Sequence, residues 1–346
     1  MMRRMNTYRA VMLTKKGGPE VLEVVELPLV ELGPGEVRVA VRATGAGGTD
    51  VTMRRGTYPY APPIPFVPGY EVVGDVEAVG VGVGVTDLRV GQRVAALLVH
   101  GGYAEKVVRR AEEFVPVPDG VGDAEAVALI LNYVTAYQAI HREAKVQTGQ
   151  RVLVTGANGG VGSAALELLR EAGATAYGAA SAKHHDMVRA LGATPVEGRG
   201  GPVDLALHAV CPEGVDAALD GLGGDSITQC IRATRKGGVV VAYGFSGTMK
   251  DGKTDNLAVG LGMASLFAGA FLRGRRGTFY GITALYRKDP KPFREDLPRL
   301  FALLAAGRLK PLIAERLPLL AARDAAVTLE RGGFQGKIVH LASLGG

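Results

Sequence analysis

The run Gly156-Ala157-Asn158-Gly159-Gly160-Val161-Gly162 has the residue types and spacing to hold a phosphate. Ala157, Gly159 and Gly162 occupy the G-x-G-x-x-G spacing, with alanine in the first place. Glycine permits the tight turn and lets backbone approach a pyrophosphate. The stretch before it, RVLVTG at 151–156, reads as a strand. The stretch after it, GVGSAALELLREAG at 160–173, reads as a helix ending at Gly173. The start of such a helix offers free N–H groups and a positive dipole end. Strand, glycine turn and helix together point to a dinucleotide site rather than a plain turn.

The choice of dinucleotide is read at the next strand, TAYGAAS. A site for NAD usually ends this strand with an acidic residue that bonds the ribose 2′-hydroxyl. Here the strand ends in Ala179, Ala180 and Ser181, without a carboxylate. Ser181, Lys183, His184 and, one strand later, Arg199 offer a hydroxyl and cations instead. A 2′-phosphate calls for those groups, so NADPH is the expected cofactor. The plain alternative makes Lys183 an exposed lysine at a helix start and Arg199 an ordinary loop arginine. Gly244, Phe245 and Ser246 end the strand GGVVVAYG at the carboxyl edge of the expected sheet, where ligands bind, and are expected to border the nicotinamide.

These residues need elements to position them. The first third of the chain is β-rich, with dense valine and turn glycines in EVRVAVRATG, EVVGDVEAVG and GVGVGVTDLRVGQRVAALL. Five prolines in YPYAPPIPFVPG at 58–69 exclude a regular element there. From Asp123, a candidate N-cap, apolar residues take helical spacing. Strands and helices then alternate, with VDAALD, GGVVVAYG and GTFYGI as further strands, which argues for a parallel doubly wound sheet. The tail holds a helix, FREDLPRLFALLAAG, and a last strand, GKIVHL. A β-rich domain built from 1–128 and 286–346, with a Rossmann domain at 129–285 inserted, is the expected organisation.

Bulk properties exclude other classes. The chain has 346 residues, long enough for two domains, and 47% hydrophobic residues against 21% charged argue against disorder. Its net charge of +6 is spread along the chain, without the basic stripe and stacking aromatics of a nucleic-acid binder. Two cysteines, Cys211 and Cys230, are too few for a disulfide framework and suit a reducing cytoplasm. No apolar run of signal length follows the charged start MMRRMNTYRA. The apolar segment 256–272 is short for a membrane span. Its Met263, Leu266, Phe267 and Phe271 suit packing, a dimer contact, or a lid over a bulky apolar substrate.

The chain resembles the medium-chain dehydrogenase/reductase superfamily over nearly its whole length. GTD at 48–50, PGYEVVG at 68–74, the nucleotide loop and GKIV near the end carry the likeness. Within it the chain is similar to the zinc-free quinone oxidoreductases, the zeta-crystallin group, and to their vesicle amine transport protein-like branch. LNYVTAY at 131–137, GAASAKH at 178–184, VDAALDGLGG at 215–224 and GRLKPLI at 307–313 point to that branch. The resemblance implies a GroES-like catalytic domain beside the Rossmann domain, and a homodimer paired through GTFYGI.

Zinc-dependent relatives place a cysteine where this chain has Gly47 and a histidine where it has Tyr70. Neither Cys211 nor Cys230 stands in a ligand spacing, and a catalytic zinc needs three protein ligands. The expected chemistry is therefore metal-free. Zinc polarises a carbonyl or alcohol oxygen; without it, acceptors that are already electrophilic remain. Quinones and α,β-unsaturated carbonyls fit, and their reduction needs hydrogen-bond donors and a proton source. By resemblance, Tyr58 is the leading candidate for the proton, with Tyr60 second. Tyr70 faces the same cleft or fills its volume, and Asp50 anchors its loop. The resemblance also places Asn132, Tyr133 and Thr135 along the nicotinamide pocket, where the amide and hydroxyl could hold the nicotinamide ribose or the substrate oxygen. The implied activity is an NADPH-dependent reductase of a small hydrophobic quinone or enone. An enoyl-thioester reductase with a basic entrance at Arg54, Arg55 and Arg273–Arg276 is a second possibility, and a non-catalytic NADPH-binding partner protein a third.

Overall fold

Valines that alternate with polar residues build the first sheet. The computed structural model describes residues 6–81, 88–199, 201–250 and 253–343. The chain divides into two units: Met1–Leu131, Lys291–Gly333 and Lys337–Gly346 form one, and Asn132–Pro290 with Phe334–Gly336 the other. Strands β1 (Thr7–Leu13) and β2 (Leu22–Pro28) pair antiparallel. β3 (Glu36–Ala46) runs into helix α1 (Gly48–Arg55), and β4 (Glu71–Val79), β5 (Arg93–Leu97), β6 (Lys106–Arg110) and β7 (Val115–Pro116) follow. Val37, Val39 and Val41 of β3 are buried against Val72, Val76, Val94 and Val107. On the opposite face, Arg38 pairs with Glu77, and Arg42 with Asp75 and Asp123. The period of two in the sequence thus becomes one dry face and one charged face. Residues 82–87 of the glycine–valine run, and the charged start at 1–5, lie outside the described residues.

Helix α2 (Asp123–Ala128) opens a helical run that continues as α3 (Val134–Gln138). Asp123 is not its N-cap. Gly122 holds that place, and the Asp123 carboxylate accepts from Arg42 and Arg93 instead. The two guanidiniums take the carboxylate away from the helix end.

The second unit is an alternation of strands and helices. β8 (Arg151–Thr155), α4 (Gly160–Glu171), β9 (Thr175–Ala180), α5 (His185–Ala190), β10 (Thr194–Glu197), α6 (Val203–His208), β11 (Val215–Asp220), α7 (Asp225–Ala233) and β12 (Thr234–Ala242) follow in order. A short hairpin, β13 (Met249–Lys250) and β14 (Lys253–Thr254), leads to α8 (Asn256–Ala264) and α9 (Ala270–Leu272), then β15 (Arg276–Phe279) and α10 (Ile282–Lys288). Six strands lie parallel in the order β10-β9-β8-β11-β12-β15. The order reverses between β8 and β11, which puts the ligand crevice of such sheets at their carboxyl ends. Both faces are covered, so Leu153, Ala218 and Val240 are fully buried. The segment 256–272 is nearly continuous helix. Leu266 is in the core with Met263 packed on it, while Phe267, Phe271 and Leu272 are exposed.

The rest of the first unit is α11 (Lys291–Ala305), β16 (Ile313–Pro318), α12 (Ala322–Arg331) and β17 (Lys337–Leu341). β17 adds antiparallel to β3, giving β16-β17-β3-β4-β5-β7 with β6 also on β3. The fold is the expected α/β class, with a GroES-like unit and a Rossmann unit. Among the described residues no helix is long and apolar enough to cross a membrane.

Candidate functional site

In the first unit, sheet register brings separate segments to one edge. Thr44 lies opposite Val72 and Ala46 opposite Ile338, so Gly47, Tyr70, Glu71 and Lys337 gather where β3, β4 and β17 meet. The proline loop presents Tyr58 there, with its hydroxyl 2.6 Å from that of Tyr70. Their rings meet edge-on at 6.1 Å, and Tyr60 stands 5.7 Å from Tyr58. Tyr70 is buried and Tyr58 half-buried. One phenol must donate to the other, so the pair can pass a proton between two oxygens.

Beside Tyr70 lies a buried charged cluster. The Lys337 ammonium is 2.5 Å from a Glu71 carboxylate oxygen, and both residues are almost fully buried. Asp50 accepts the Gly47 N–H at 2.9 Å with one oxygen, and the Tyr103 hydroxyl stands beside the carboxylate. Burial, then the nearby Glu71 charge, push the Asp50 carboxyl up to about 6. Tyr103, beside Asp50, is pushed up first by burial and then by the Asp50 and Glu71 charges. The His340 imidazole meets the Pro318 carbonyl at 3.2 Å and is pushed down to about 4 by burial. A Cβ on Gly45 would strike the Glu71 carboxylate and the end of the Lys337 side chain, so a larger residue there would have to displace the pair. At Gly47 a Cβ would meet nothing nearer than the Lys337 ammonium, at 3.8 Å.

In the second unit the glycine run 156–162 links β8 to α4. Gly156 takes φ +61°, in the left-handed region, and Gly159 caps α4 from extended backbone. A Cβ on Gly162 would strike the Gly156 carbonyl. Ala157 is fully buried, its N–H bonded to the Ala179 carbonyl. Gly160 and Val161 begin the helix, and the Asn132 amide lies so close over Gly160 that a Cβ there would strike it. The Asn158 amide donates to the Phe334 carbonyl. Thr135 is buried, and its hydroxyl has no hydrogen-bond partner among the described residues. Tyr133 points elsewhere: its hydroxyl donates to Glu167 on α4 at 2.6 Å, which fixes it in the core.

Ser181 follows β9, and Lys183 and Arg199 are exposed near His184. Burial, then the charges of Lys183 and Arg199, hold the His184 imidazole below its ordinary range. Gly244, Phe245 and Ser246 follow β12, and the Ser246 hydroxyl donates to the Gly221 carbonyl at 2.9 Å. Phe245 stacks on Phe279 at 5.3 Å.

Sequence reasoning passed over Asp220, the end of β11. It is fully buried and accepts from Thr155, Ser226 and the Gly223 N–H at 2.7, 2.5 and 2.7 Å. The signal was a carboxylate closing an apolar strand just before a glycine turn. Lys337 was passed over as well, although a lysine opening an apolar strand is a similar signal. Arg54 is not free to form a basic entrance: it is 2% exposed and bonded to Glu330 and the Gly17 carbonyl, and Arg55 shares Glu330.

Glycine loop, sheet reversal and GroES-like unit define an oxidoreductase of the dinucleotide-binding kind. Residues 33–119 match the family described as alcohol dehydrogenase GroES-like domain, and 191–339 that described as zinc-binding dehydrogenase. The mouse synaptic vesicle membrane protein VAT-1 homolog is 31% identical over 96% of this chain and 83% of its own. Human quinone oxidoreductase is 28% identical over 96% and 97%. A solved mycobacterial protein complexed with NADPH superposes with a TM-score of 0.83 at 26% identity, covering 96% of this chain and 99% of that one. The chain belongs to the medium-chain dehydrogenase/reductase superfamily, in its quinone oxidoreductase family.

The description "zinc-binding" does not fit the donor set here. Glycine at 47 and a tyrosine-bonded Tyr70 offer neither thiolate nor imidazole, and an ammonium stands nearest to position 47. A dinucleotide does fit: a strand, a glycine loop and the N-terminus of α4 follow one another as such a site requires, and the Thr135 hydroxyl makes no hydrogen bond among the described residues.

Proposed function

We propose that the protein is a zinc-independent, NADPH-dependent reductase of quinones or α,β-unsaturated carbonyls. The observation that carries this reading is the Tyr58–Tyr70 hydroxyl pair, in which Tyr70 takes the position that, by resemblance, is a histidine ligand in relatives with zinc. Such a pair supplies hydrogen bonds and a proton, which an electrophilic acceptor needs, and supplies no Lewis acid. The nicotinamide, when bound, supplies the hydride. The chain's residues do the rest. Gly156–Gly162 and the start of α4 hold the pyrophosphate, and Ser181, Lys183, His184 and Arg199 hold the 2′-phosphate. Asn132 and Thr135 orient the nicotinamide end or the substrate oxygen, with Gly244–Ser246 beside them. Tyr58 donates to the reduced acceptor's oxygen or carbon, and Tyr70 restores its proton.

The active form is a homodimer. β15 closes one edge of its sheet, and exposed Phe267, Phe271, Leu272 and Phe279 lie on or near it, which suits pairing with a second copy. Both thiols are free and buried, which suits a reducing cytoplasm.

The test is NADPH oxidation by the purified protein against phenanthrenequinone, naphthoquinone, a simple enone and an enoyl thioester. Turnover of the quinones or the enone is expected. Turnover of the thioester alone would favour a biosynthetic enoyl reductase. Tight NADPH binding without turnover of any acceptor would favour a binding protein.

A further inference from the structure

His184 and Gln335 lie 151 residues apart in sequence, yet the Gln335 amide nitrogen is 2.9 Å from Nδ1 of His184. The contact is held from both sides. The Gly336 N–H donates to the Asn158 carbonyl at 3.1 Å, Asn158 donates to the Phe334 carbonyl at 3.3 Å, and Gly336 bridges Gly159 in parallel. Residues 334–336 thus lie along the phosphate loop as part of the second unit. An amide N–H₂ can only donate, so Nδ1 of His184 accepts and the ring proton sits on Nε2. His184 is buried, with the cations Lys183 and Arg199 acting on its ring. Glu197, at the end of β10, is turned to other partners: it accepts the Arg199 N–H at 2.7 Å and stands 4.0 Å from His185.

We infer that Gln335 is a specificity residue for the 2′-phosphate of the cofactor: its amide fixes His184 in the tautomer whose Nε2–H donates to that anion. Lys183 and Arg199 attract the charge, and the imidazole adds a directed donor that a ribose hydroxyl does not require. The inference rests on the NADPH reading above. It assigns to a C-terminal segment, far from the glycine loop in sequence, a part in the choice between NADPH and NADH.

The experiment measures Kd for NADPH and for NADH by fluorescence titration of the full chain. The proteins are wild type, Gln335→Met, His184→Leu, the double variant and Lys183→Ala, each checked for an unchanged melting curve. Gln335→Met is expected to raise Kd for NADPH about tenfold, a loss of one hydrogen bond to a charged group, and to leave NADH within about twofold. The double variant is expected to bind NADPH no worse than His184→Leu alone, because Gln335 acts through the ring. Equal weakening of both cofactors by Gln335→Met would mean that the residue only fastens the loop, and would overturn the inference. So would no change, or additive losses in the double variant. If Lys183→Ala weakens both cofactors equally, the NADPH reading itself fails. A selective Lys183→Ala with an unselective Gln335→Met overturns the inference alone.

Discussion

Lys337 and Glu71 face each other at 2.5 Å with almost no solvent reaching either. A buried pair of this kind adds little net stability, but breaking it strands a charge. Lys337→Met is expected to destabilise the protein by about 3–5 kcal/mol in urea unfolding. Adding Glu71→Gln is expected to restore most of that loss. If the double variant is no better than Lys337→Met, the ammonium matters through packing and not through the carboxylate.

Asp50 gives a pH signature. Its folded pKa of about 6 lies above the value of about 4 expected when unfolded, so the folded state holds the proton more tightly. Stability from this group is therefore full below pH 4 and is lost as pH rises through 6. Asp50→Asn keeps an acceptor for the Gly47 N–H and removes the titration. Its melting temperature relative to wild type should rise between pH 5 and pH 8. A difference that stays flat over that range would assign the titration elsewhere.

The two phenols separate chemistry from binding. Tyr58→Phe is expected to lower kcat by at least about tenfold with the best acceptor, less than the roughly hundredfold low end of general acid catalysis because water can substitute. NADPH affinity should not change. Tyr70→Phe is expected to be milder, because Tyr58 retains its own hydroxyl. Unchanged turnover in Tyr58→Phe would show that Tyr58 is not the proton source.

Two glycines of the same loop, Gly160 and Gly162, should behave differently. A Cβ on Gly162 strikes backbone at Gly156, whereas one on Gly160 strikes the movable amide of Asn132. Gly162→Ala should cost on the order of 1–3 kcal/mol in stability and weaken NADPH and NADH alike. Gly160→Ala should leave stability nearly unchanged and act mainly on kcat, by displacing Asn132. Thermal melts with steady-state kinetics on both variants check this.

Much of the fold could be read from local pattern. Alternating valines gave β3 and β4, and the strand–glycine–helix sequence gave β8 and α4, because each element's periodicity is written in consecutive residues. The long-range polar contacts could not be read that way. Asp123 looks like a helix cap until Arg42 and Arg93 arrive from other strands. Tyr58 and Tyr70 were separate candidates whose hydroxyl contact only the proline loop's path creates. Gln335 carries no local signal at all, since its partner lies 151 residues earlier.

Asp220 ties the loops at the carboxyl ends of β8 and β11 together. Thr155 both donates to it and accepts the Gly221 N–H, the Gly223 N–H points at it, and the Gly221 carbonyl takes the Ser246 hydroxyl. These bonds lie wholly within the chain, so the floor on which a dinucleotide would rest is rigid before it arrives. Amide hydrogens of Gly221 and Gly223 should exchange slowly in the free protein, and ligand should slow them little further. Association would then proceed without a folding step at this face, and affinity would be tuned through the dissociation rate.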